Sequence, residues 1–504
     1  MIAKLSSCSI KGIDGFIVDV EVDIAYGMPV FNIVGLPEAS IKESKDRVKT
    51  AINNSGYTFP MERLIVNLAP ADVKKEGTGF DLPVAIGILM ASKVISSDKI
   101  KDYIILGELS LDGKIKPIKA VLSYALTAKQ NGYKGIIIPF ANANEASMVK
   151  GIDVLPVKTL SEIVDFFAGF IKIKKHEFNP DKILRTAKPK NNMDFSQVKG
   201  QTLIKRALEV AASGFHNVLM TGPPGSGKSM MAKRLSTIMP ALTFKEAIEV
   251  TRLYSVMGMI GNDIPYMQER PFRSPHHTIS DAGLVGGGSN PLPGEISLAH
   301  NGVLFLDELP EFKKNVLEVL RQPIEDKQVT IARAGTKATY PSNFMLVAAM
   351  NPCPCGYLSD PLGKCTCTHP QIRKYRSKIS GPLLDRIAIQ IEVPKVKYAD
   401  LETNNDSETS LKIQKRVNKV RKIQRDREKD NIQSNNQGLP EFWELDTNCK
   451  QILKKAVDIL GFSVRACNLV IKTARTIADI EDSVKIKSDH IAEAIQYRSF
   501  DRLL

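Results

Sequence analysis

The stretch Gly222-Pro223-Pro224-Gly225-Ser226-Gly227-Lys228-Ser229 has the residue types and spacing that bind phosphate. It reads Gly, four residues, then Gly-Lys-Ser, and its glycines let backbone N–H groups turn toward an anion. The apolar run Asn217-Val218-Leu219-Met220 before it predicts a buried strand, and Met230 to Met239 after it predicts a helix. That context adds the positive end of a helix dipole to the loop. Lys228 would reach the β- and γ-phosphates of ATP, and Ser229 would hold Mg²⁺. About 80 positions later, Gly302-Val303-Leu304-Phe305-Leu306-Asp307-Glu308 predicts a second buried strand, ending in two carboxylates. At a strand end in an α/β sheet, both can face the ligand crevice. Asp307 would bind Mg²⁺ through its water shell, and Glu308 would polarise the attacking water as general base. A third run, Phe344 to Met350, ends in Asn351, a hydrogen-bonding partner for the γ-phosphate or the water. The chemistry these residues imply is magnesium-dependent ATP hydrolysis.

Two smaller constellations lie nearby. Cys353, Cys355, Cys365 and Cys367 place four of the seven cysteines within 15 positions. Structural zinc sites more often pair cysteines as C-x₂-C, but this density predicts a Cys₄ zinc site bracing the loop after Asn351. His369 is a substitute ligand, and reduced, unmetallated thiols are the alternative. Adjacent His276 and His277 sit in the long stretch Thr251 to Ala299, without the spacing of metal ligands. A stretch of that length inside a compact module is usually functional, so they are read as contacts to a partner or the nucleotide.

These residues need a frame, and 504 residues allow about three domains. A net charge of +14, from 69 basic and 55 acidic residues, favours a polyanionic partner, nucleic acid first. A merely soluble basic surface gives the same balance. No uninterrupted apolar run reaches the ~18 residues of a membrane span, and Met1 to Asp14 lacks the apolar centre of a signal peptide. The expectation is a cytoplasmic protein without a disulfide framework or membrane contact.

Residues 1–170 read as an α+β unit. Gly15 to Val22 and Met28 to Val34 predict strands, Ile41 to Asn54 and Leu82 to Ser92 predict helices, and Asp112-Gly113 predicts a hairpin turn. Ile118 to Gly132 predicts a helix and Gly135 to Pro139 a buried strand. The series Leu109 to Ile118, the helix, then Gly135 to Pro139 resembles the proteolytic domain of Lon proteases. Such a domain uses a serine and a lysine. The resemblance puts Gly79 where the serine should be and Leu122 where the lysine should be. Thr78, Lys119 and Lys129 are the displaced candidates. The expectation is a relative without the Ser-Lys dyad.

Residues 171–193 are polar and basic and predict a linker. Residues 194–394 carry the nucleotide motifs. Residues 395–504 predict helices, with nine basic residues against three acids between Leu411 and Asp430 and a polar break from Asn431 to Leu439. That helix could touch nucleic acid, and a solvated face explains it equally. Together with Ser380 to Arg386 and Ser463 to Ala466, the motifs resemble the AAA+ ATPases of the magnesium chelatase-like branch, more narrowly the YifB/ComM family. The fold class is then multidomain α/β: a Lon-protease-like N-terminal domain, an AAA+ P-loop core and a C-terminal helical lid.

The resemblance assigns sensor roles to Asn351 and Arg465. It makes Arg386 the arginine finger that acts on the nucleotide of a neighbouring subunit, implying a homo-hexameric ring. The hairpin Lys327 to Tyr340 matches a pore-facing hairpin, with Arg333 and Lys337 flanking its Ala334-Gly335 tip as DNA phosphate contacts, or as an ordinary solvated hairpin. Thr251 to Ala299 resembles an insert that projects toward the pore. The implied function is an ATP-driven DNA translocase or branch-migration helicase in recombination during natural transformation. The alternatives are an ATP-dependent protein-remodelling or proteolytic machine, or a metal-insertion motor of the magnesium chelatase type.

Overall fold

In the computed structural model, the described residues are 2–75, 77–178, 193–261, 266–288, 291–333, 336–358, 365–395, 408–434 and 444–498. Side chains are described for these except at 333, 336 and 428–434. The chain forms two compact units. One holds Met1–Lys188 with Ala247–Met267, and the other holds Pro189–Glu246 with Gln268–Leu504.

The first unit is built on a seven-stranded mixed sheet, ordered β3-β4-β2-β1-β5-β8-β9. β1 (Ile2–Lys11) and β2 (Asp14–Ala25) form an antiparallel hairpin in register from Ile2 opposite Asp23 to Lys11 opposite Asp14. Val18, Val20 and Val22 alternate into the core, as a half-covered sheet requires. β3 (Val30–Val34), α1 (Ala39–Asn54) and β4 (Arg63–Ala69) follow. Next, α2 (Asp81–Ala91) is apolar on every side and buried on every side. Its first residue, Asp81, is buried and held by Arg47 at 2.9 and 3.1 Å. β5 (Tyr103–Ile105) is followed by the short hairpin β6 (Glu108–Leu109) and β7 (Ile115–Lys116), turning at Asp112-Gly113. α3 (Val121–Gln130) starts later than the pattern from Ile118 suggested. Ala120 takes a left-handed conformation (φ 62°), and the buried Glu145 carboxylate accepts the Leu122 N–H at 2.9 Å, defining the helix start there. β8 (Gly135–Pro139), β9 (Asp153–Val157) and α4 (Leu160–Ala168) complete the unit.

The second unit holds a five-stranded, all-parallel sheet. In chain order come α5 (Thr202–Gly214), β10 (Val218–Thr221), α6 (Lys228–Ile238), α7 (Phe244–Val256), which from Ala247 on belongs to the first unit, and β11 (Phe272–Arg273). β12 (Val303–Leu306), α8 (Arg321–Asp326), the hairpin β13 (Gln328–Arg333) and β14 (Thr336–Pro341), and β15 (Met345–Met350) follow. Then come α9 (His369–Arg376), β16 (Ile389–Glu392), α10 (Ser410–Ser434), α11 (Thr447–Leu460), α12 (Val464–Ile480) and α13 (Ser488–Gln496). The strand order is β11-β12-β15-β10-β16. Covered on both faces, the central strands read as unbroken apolar runs, which is why they were visible in the sequence. Ile413, Val417, Cys449, Val470 and Ile477 of the late helices join the same core as Val218, Phe305 and Val347 of the sheet.

Two expectations change in detail. Asn431 to Leu439 read as a break, but α10 continues through Ser434; residues 435–443 lie outside the described residues. The Thr251 to Ala299 stretch is not loop throughout: α7 runs into it, and short strands and helices at Phe272–Arg273, Asp281–Val285 and Glu295–Leu298 occupy its second half. Among the described residues, no helix is long and apolar enough to cross a membrane.

Candidate active site

Parallel pairing places the ends of β12, β15 and β10 side by side, with Leu306 opposite Ala348 and Met350 opposite Thr221. Adjacent strands lie about 4.8 Å apart, so whatever follows each strand converges at one edge. The phosphate loop follows β10, Asp307 and Glu308 follow β12, and Asn351 follows β15. Gly227, at φ 90°, makes the turn into α6, a conformation open to glycine and costly for other residues. Gly222 packs so closely that a Cβ there would lie 2.2 Å from the Val393 carbonyl oxygen.

Lys228 is buried, and its ammonium donates to the carbonyls of Gly222 (2.6 Å) and Pro223 (2.9 Å) and to Asn351 Oδ1 (3.3 Å). Burial lowers its pKa, and the Asp307 charge opposes that fall. Ser229 Oγ donates to Asp307 Oδ2 at 2.6 Å. Paired hard oxygens beside the phosphate loop suit a hard cation: Ser229 would ligate Mg²⁺, and Asp307 would hold its water shell. Glu308 sits at φ 53°, an uncommon conformation for a carboxylate residue, with its N–H donating to Asp307 Oδ1 at 3.0 Å. Its carboxylate is exposed and lies 3.6 Å from His277 Nδ1. His277 stacks on His276, with ring centres 4.1 Å apart, and meets the edge of Phe312. The sequence pattern left the histidine pair without a fixed place. β11 neighbours β12 in the sheet, and this pairing carries the pair to Glu308. A cavity of about 450 Å³ is bordered by Glu308, Asn351, Tyr375 and Lys378.

The four clustered cysteines converge just beyond Asn351. Their sulfurs all lie within 4.8 Å of one another. Cys353 and Cys355 are 3.3 Å apart, Cys355 and Cys365 3.6 Å, and Cys353 and Cys365 3.8 Å. Tetrahedral zinc with bonds of about 2.3 Å puts its sulfurs about 3.8 Å apart, so this donor set fits the metal. Backbone hydrogen bonds, led by that of Tyr357, hold the Cys355 thiol down at about 6, while Cys365 and Cys367 beside it are raised, so Cys355 is the readier of these to lose its proton. His369 begins α9 and is not one of the four.

Arg386 and Arg465 form a separate group. One oxygen of Glu325 accepts from Arg386 at 2.8 Å, and the other accepts from Arg465. Ser463, the cap of α12, donates to Asp385 at 3.2 Å, tying the Arg465 helix to the Arg386 turn. This group stands at the amino end of β16, where Asn217 donates to the Arg386 carbonyl at 3.0 Å. The phosphate loop is at the carboxyl end of the neighbouring parallel strand, about 13 Å away along four residues.

Lys337 is exposed on β14, opposite Ala332; the Arg333 side chain and the Ala334-Gly335 tip lie outside the described residues. Much of the basic face of α10 is engaged internally: Arg416 with Glu209 (2.6 Å) and Glu408 (2.7 Å), Lys419 with Asp482 (2.6 Å), Arg427 with Asp479 (2.6 Å). In the first unit the displaced dyad candidates diverge. Thr78 Oγ1 donates to the Glu108 carboxylate, Lys119 lies over Gly258, and Lys129 donates to the Lys150 carbonyl at 2.7 Å. Gly79 faces Ile118 and Leu106, and Leu122 is buried, so apolar groups fill that neighbourhood.

Comparison with known proteins places these geometries. The family model described as magnesium chelatase, subunit ChlI, matches residues 194–401. A second ChlI model matches residues 20–142, and the ChlI C-terminal model matches residues 407–498. The chain is 42% identical to the competence protein ComM of Haemophilus influenzae, over 100% of this chain and 98% of that protein. It is 41% identical to the YifB protein of Escherichia coli, over 98% and 96%. Lon protease 2 of Bacillus subtilis is 28% identical over 163 residues, 29% of each chain.

Proposed function

We propose that this chain, which belongs to the YifB/ComM family of magnesium chelatase-like ATPases, is a ring-forming motor that couples ATP hydrolysis to movement on DNA. The observation that carries the ATPase reading is the meeting of Lys228, Ser229, Asp307, Glu308 and Asn351 at adjacent strand ends. Lys228 holds the β- and γ-phosphates in place of its present carbonyl partners. Ser229 and Asp307 hold Mg²⁺, which neutralises charge on the phosphates. Glu308 takes the proton of the attacking water, and Asn351 fixes that water or the γ-phosphate.

The remote placement of Arg386 and Arg465 supports a ring. They stand at the opposite strand ends from their own loop, so a phosphate they serve is a neighbour's. The apolar side chains Ile459 and Val464, shortly before Arg465 in sequence, are 79% and 81% exposed, the kind of surface a subunit contact covers. The hexamer, the 1–170, 171–193, 194–394 and 395–504 division, the Cys₄ zinc and the DNA contacts of Arg333 and Lys337 belong to this reading. DNA as the track is supported by full-length likeness to a competence protein and by the +14 charge. The work proposed is branch migration or helicase action in recombination of incoming DNA.

The test is the ATPase rate without DNA and with single strands, duplex and a four-way junction, across a salt series. Stimulation that fades as salt rises is expected, because phosphate contacts release counterions. A rate indifferent to every DNA would reject the track and turn the search to protein or metal partners.

A further inference from the structure

The first unit carries a basic surface that the nucleotide site does not use. It forms where the polar stretch after α4 folds back on the sheet, whose edge strand is β9. His176 donates its N–H to the Val154 carbonyl at 2.9 Å, its Nε2 lies 2.8 Å from Asn144 Oδ1, and Lys175 pairs with Asp153 at 2.8 Å. These contacts hold residues 171–177 as a strap along an edge that would otherwise present unpaired backbone groups. Ile173 is half-buried against the core, and Lys172 and Lys174 are exposed. Between the strap, β9 and Phe140 lies a cavity of about 580 Å³, bordered by four lysines and two glutamates. We infer that this cavity binds single-stranded nucleic acid, with Lys158, Lys172 and Lys174 on the phosphates and Phe140 against a base.

The charge there is open to an outside anion. Lys172 and Lys174 make no ion pair among the described residues. The Lys158 ammonium sits 4.5 Å from the centre of the Phe140 ring, a contact that holds a cation without neutralising it. Of the two acids, Glu162 is engaged at the start of α4, where its carboxylate accepts the Lys158 N–H at 2.7 Å and its own N–H donates to Thr159 Oγ1 at 3.3 Å. Glu177 stands at the exposed far end of the strap.

The aromatic rings select among polyanions. Phe140 is 53% exposed, and Phe170, 81% exposed, immediately precedes the lining residue Ile171. An acidic peptide asks only for cations. A nucleotide strand asks for cations and flat apolar faces together, because its phosphates pair while its bases stack. A duplex hides those base faces in its own stack, so an exposed ring favours the unpaired strand. The cavity belongs to a different unit from the phosphate loop. The inference therefore goes beyond the motor reading and rests on neither the ring nor hydrolysis.

The test uses the full-length chain without nucleotide and fluorescence anisotropy of a labelled oligo-dT across a salt series. Binding is expected. Joint Lys158→Gln, Lys172→Gln and Lys174→Gln should weaken it about tenfold or more, and should flatten the slope of log affinity against log salt by about 2, at about 0.7 per lost phosphate contact. Arginine at the same three positions should bind like the parent. Phe140→Leu should weaken binding about fivefold with the slope kept. The ATPase rate without DNA should be the same in all of them. A parent that binds no oligo-dT, or binding indifferent to the three glutamines, overturns the surface. Polyglutamate competing as strongly as unlabelled oligo-dT, with Phe140→Leu silent, overturns it in favour of an acidic protein partner. Stimulation of hydrolysis by DNA is read separately: its failure rejects the track proposed above and leaves the anisotropy result standing, and its persistence beside unchanged anisotropy rejects this surface alone.

Discussion

Acidification should weaken the second unit through one buried imidazole. His216 ends the α5–β10 turn, and burial, assisted by the nearby Arg421 and Lys472 charges, lowers its pKa from 6.5 to about 4. Its Nε2 lies 2.8 Å from Thr476 Oγ1, whose own proton goes to the Lys472 carbonyl at 3.1 Å. The ring is therefore the neutral tautomer that donates from Nε2. In the unfolded chain the same ring protonates near 6.5, so protons favour unfolding. The sign follows: no cost above pH 6.5, a growing cost as pH falls, and a plateau below about 4. The full difference corresponds to roughly 3 kcal/mol, of which about 2 kcal/mol is felt at pH 5. The assay is urea unfolding followed by circular dichroism at pH 7.5 and pH 5, for the parent and for His216→Gln. The glutamine amide keeps a donor for Thr476 but cannot titrate. The parent should lose about 2 kcal/mol more than the variant over this interval. Equal losses in the two proteins would refute the argument, because acid-sensitive carboxylates elsewhere act on both alike.

Three further expectations concern the phosphate-loop site, the remote Arg386 and the cysteine cluster. Lys228→Ala should abolish binding of a fluorescent ATP analogue, whereas Glu308→Gln should bind it normally and hydrolyse ATP about 10²–10⁴ times more slowly; full turnover by Glu308→Gln would remove it as base. Arg386→Ala should leave nucleotide binding intact and lower turnover by about 10³ or more. Mixing it with the Lys228→Ala chain should recover activity if the arginine serves a neighbour, and steady failure to recover would count against action between subunits. Cys355→Ser should reduce bound zinc, measured by elemental analysis of the purified chain, from about one ion per chain, and should lower the melting temperature; an equal metal content in parent and variant would sink the zinc site.

The sequence was most legible where one strand runs into one chemical group. Val218 to Ser229, Val303 to Glu308 and Met345 to Asn351 are each a short apolar run that ends in polar residues. A parallel strand covered on both faces has to look like this. Local chemistry also marked Asp112-Gly113 as a turn and the cysteine pairs as one cluster. The start of α3 was not legible, because it depends on Glu145, a residue distant in sequence that reaches the Leu122 N–H. The basic run of α10 was ambiguous for a similar reason. Its charge is local, but the acids that absorb much of it, Glu209, Asp479 and Asp482, come from other helices.

What the sequence determined by itself is the inventory: a phosphate loop, a strand-borne carboxylate pair, a polar sensor position, two candidate arginines and four thiols. These follow from covalent neighbours, and backbone geometry converts neighbours directly into strands, turns and helix starts. What only the tertiary structure decided is which members of that inventory meet. Parallel pairing gathers the loop, Asp307, Glu308 and Asn351 at the carboxyl ends of three strands. Pairing of β11 beside β12 brings His277 to Glu308. Folding of α12 back across the sheet's other end joins Arg465 to Arg386 on Glu325 and leaves Lys472 and Arg421 lining one cationic cavity. Such meetings join residues separated by tens to hundreds of positions, and no local spacing encodes them, because the path that closes each distance is set by the packing of the whole unit.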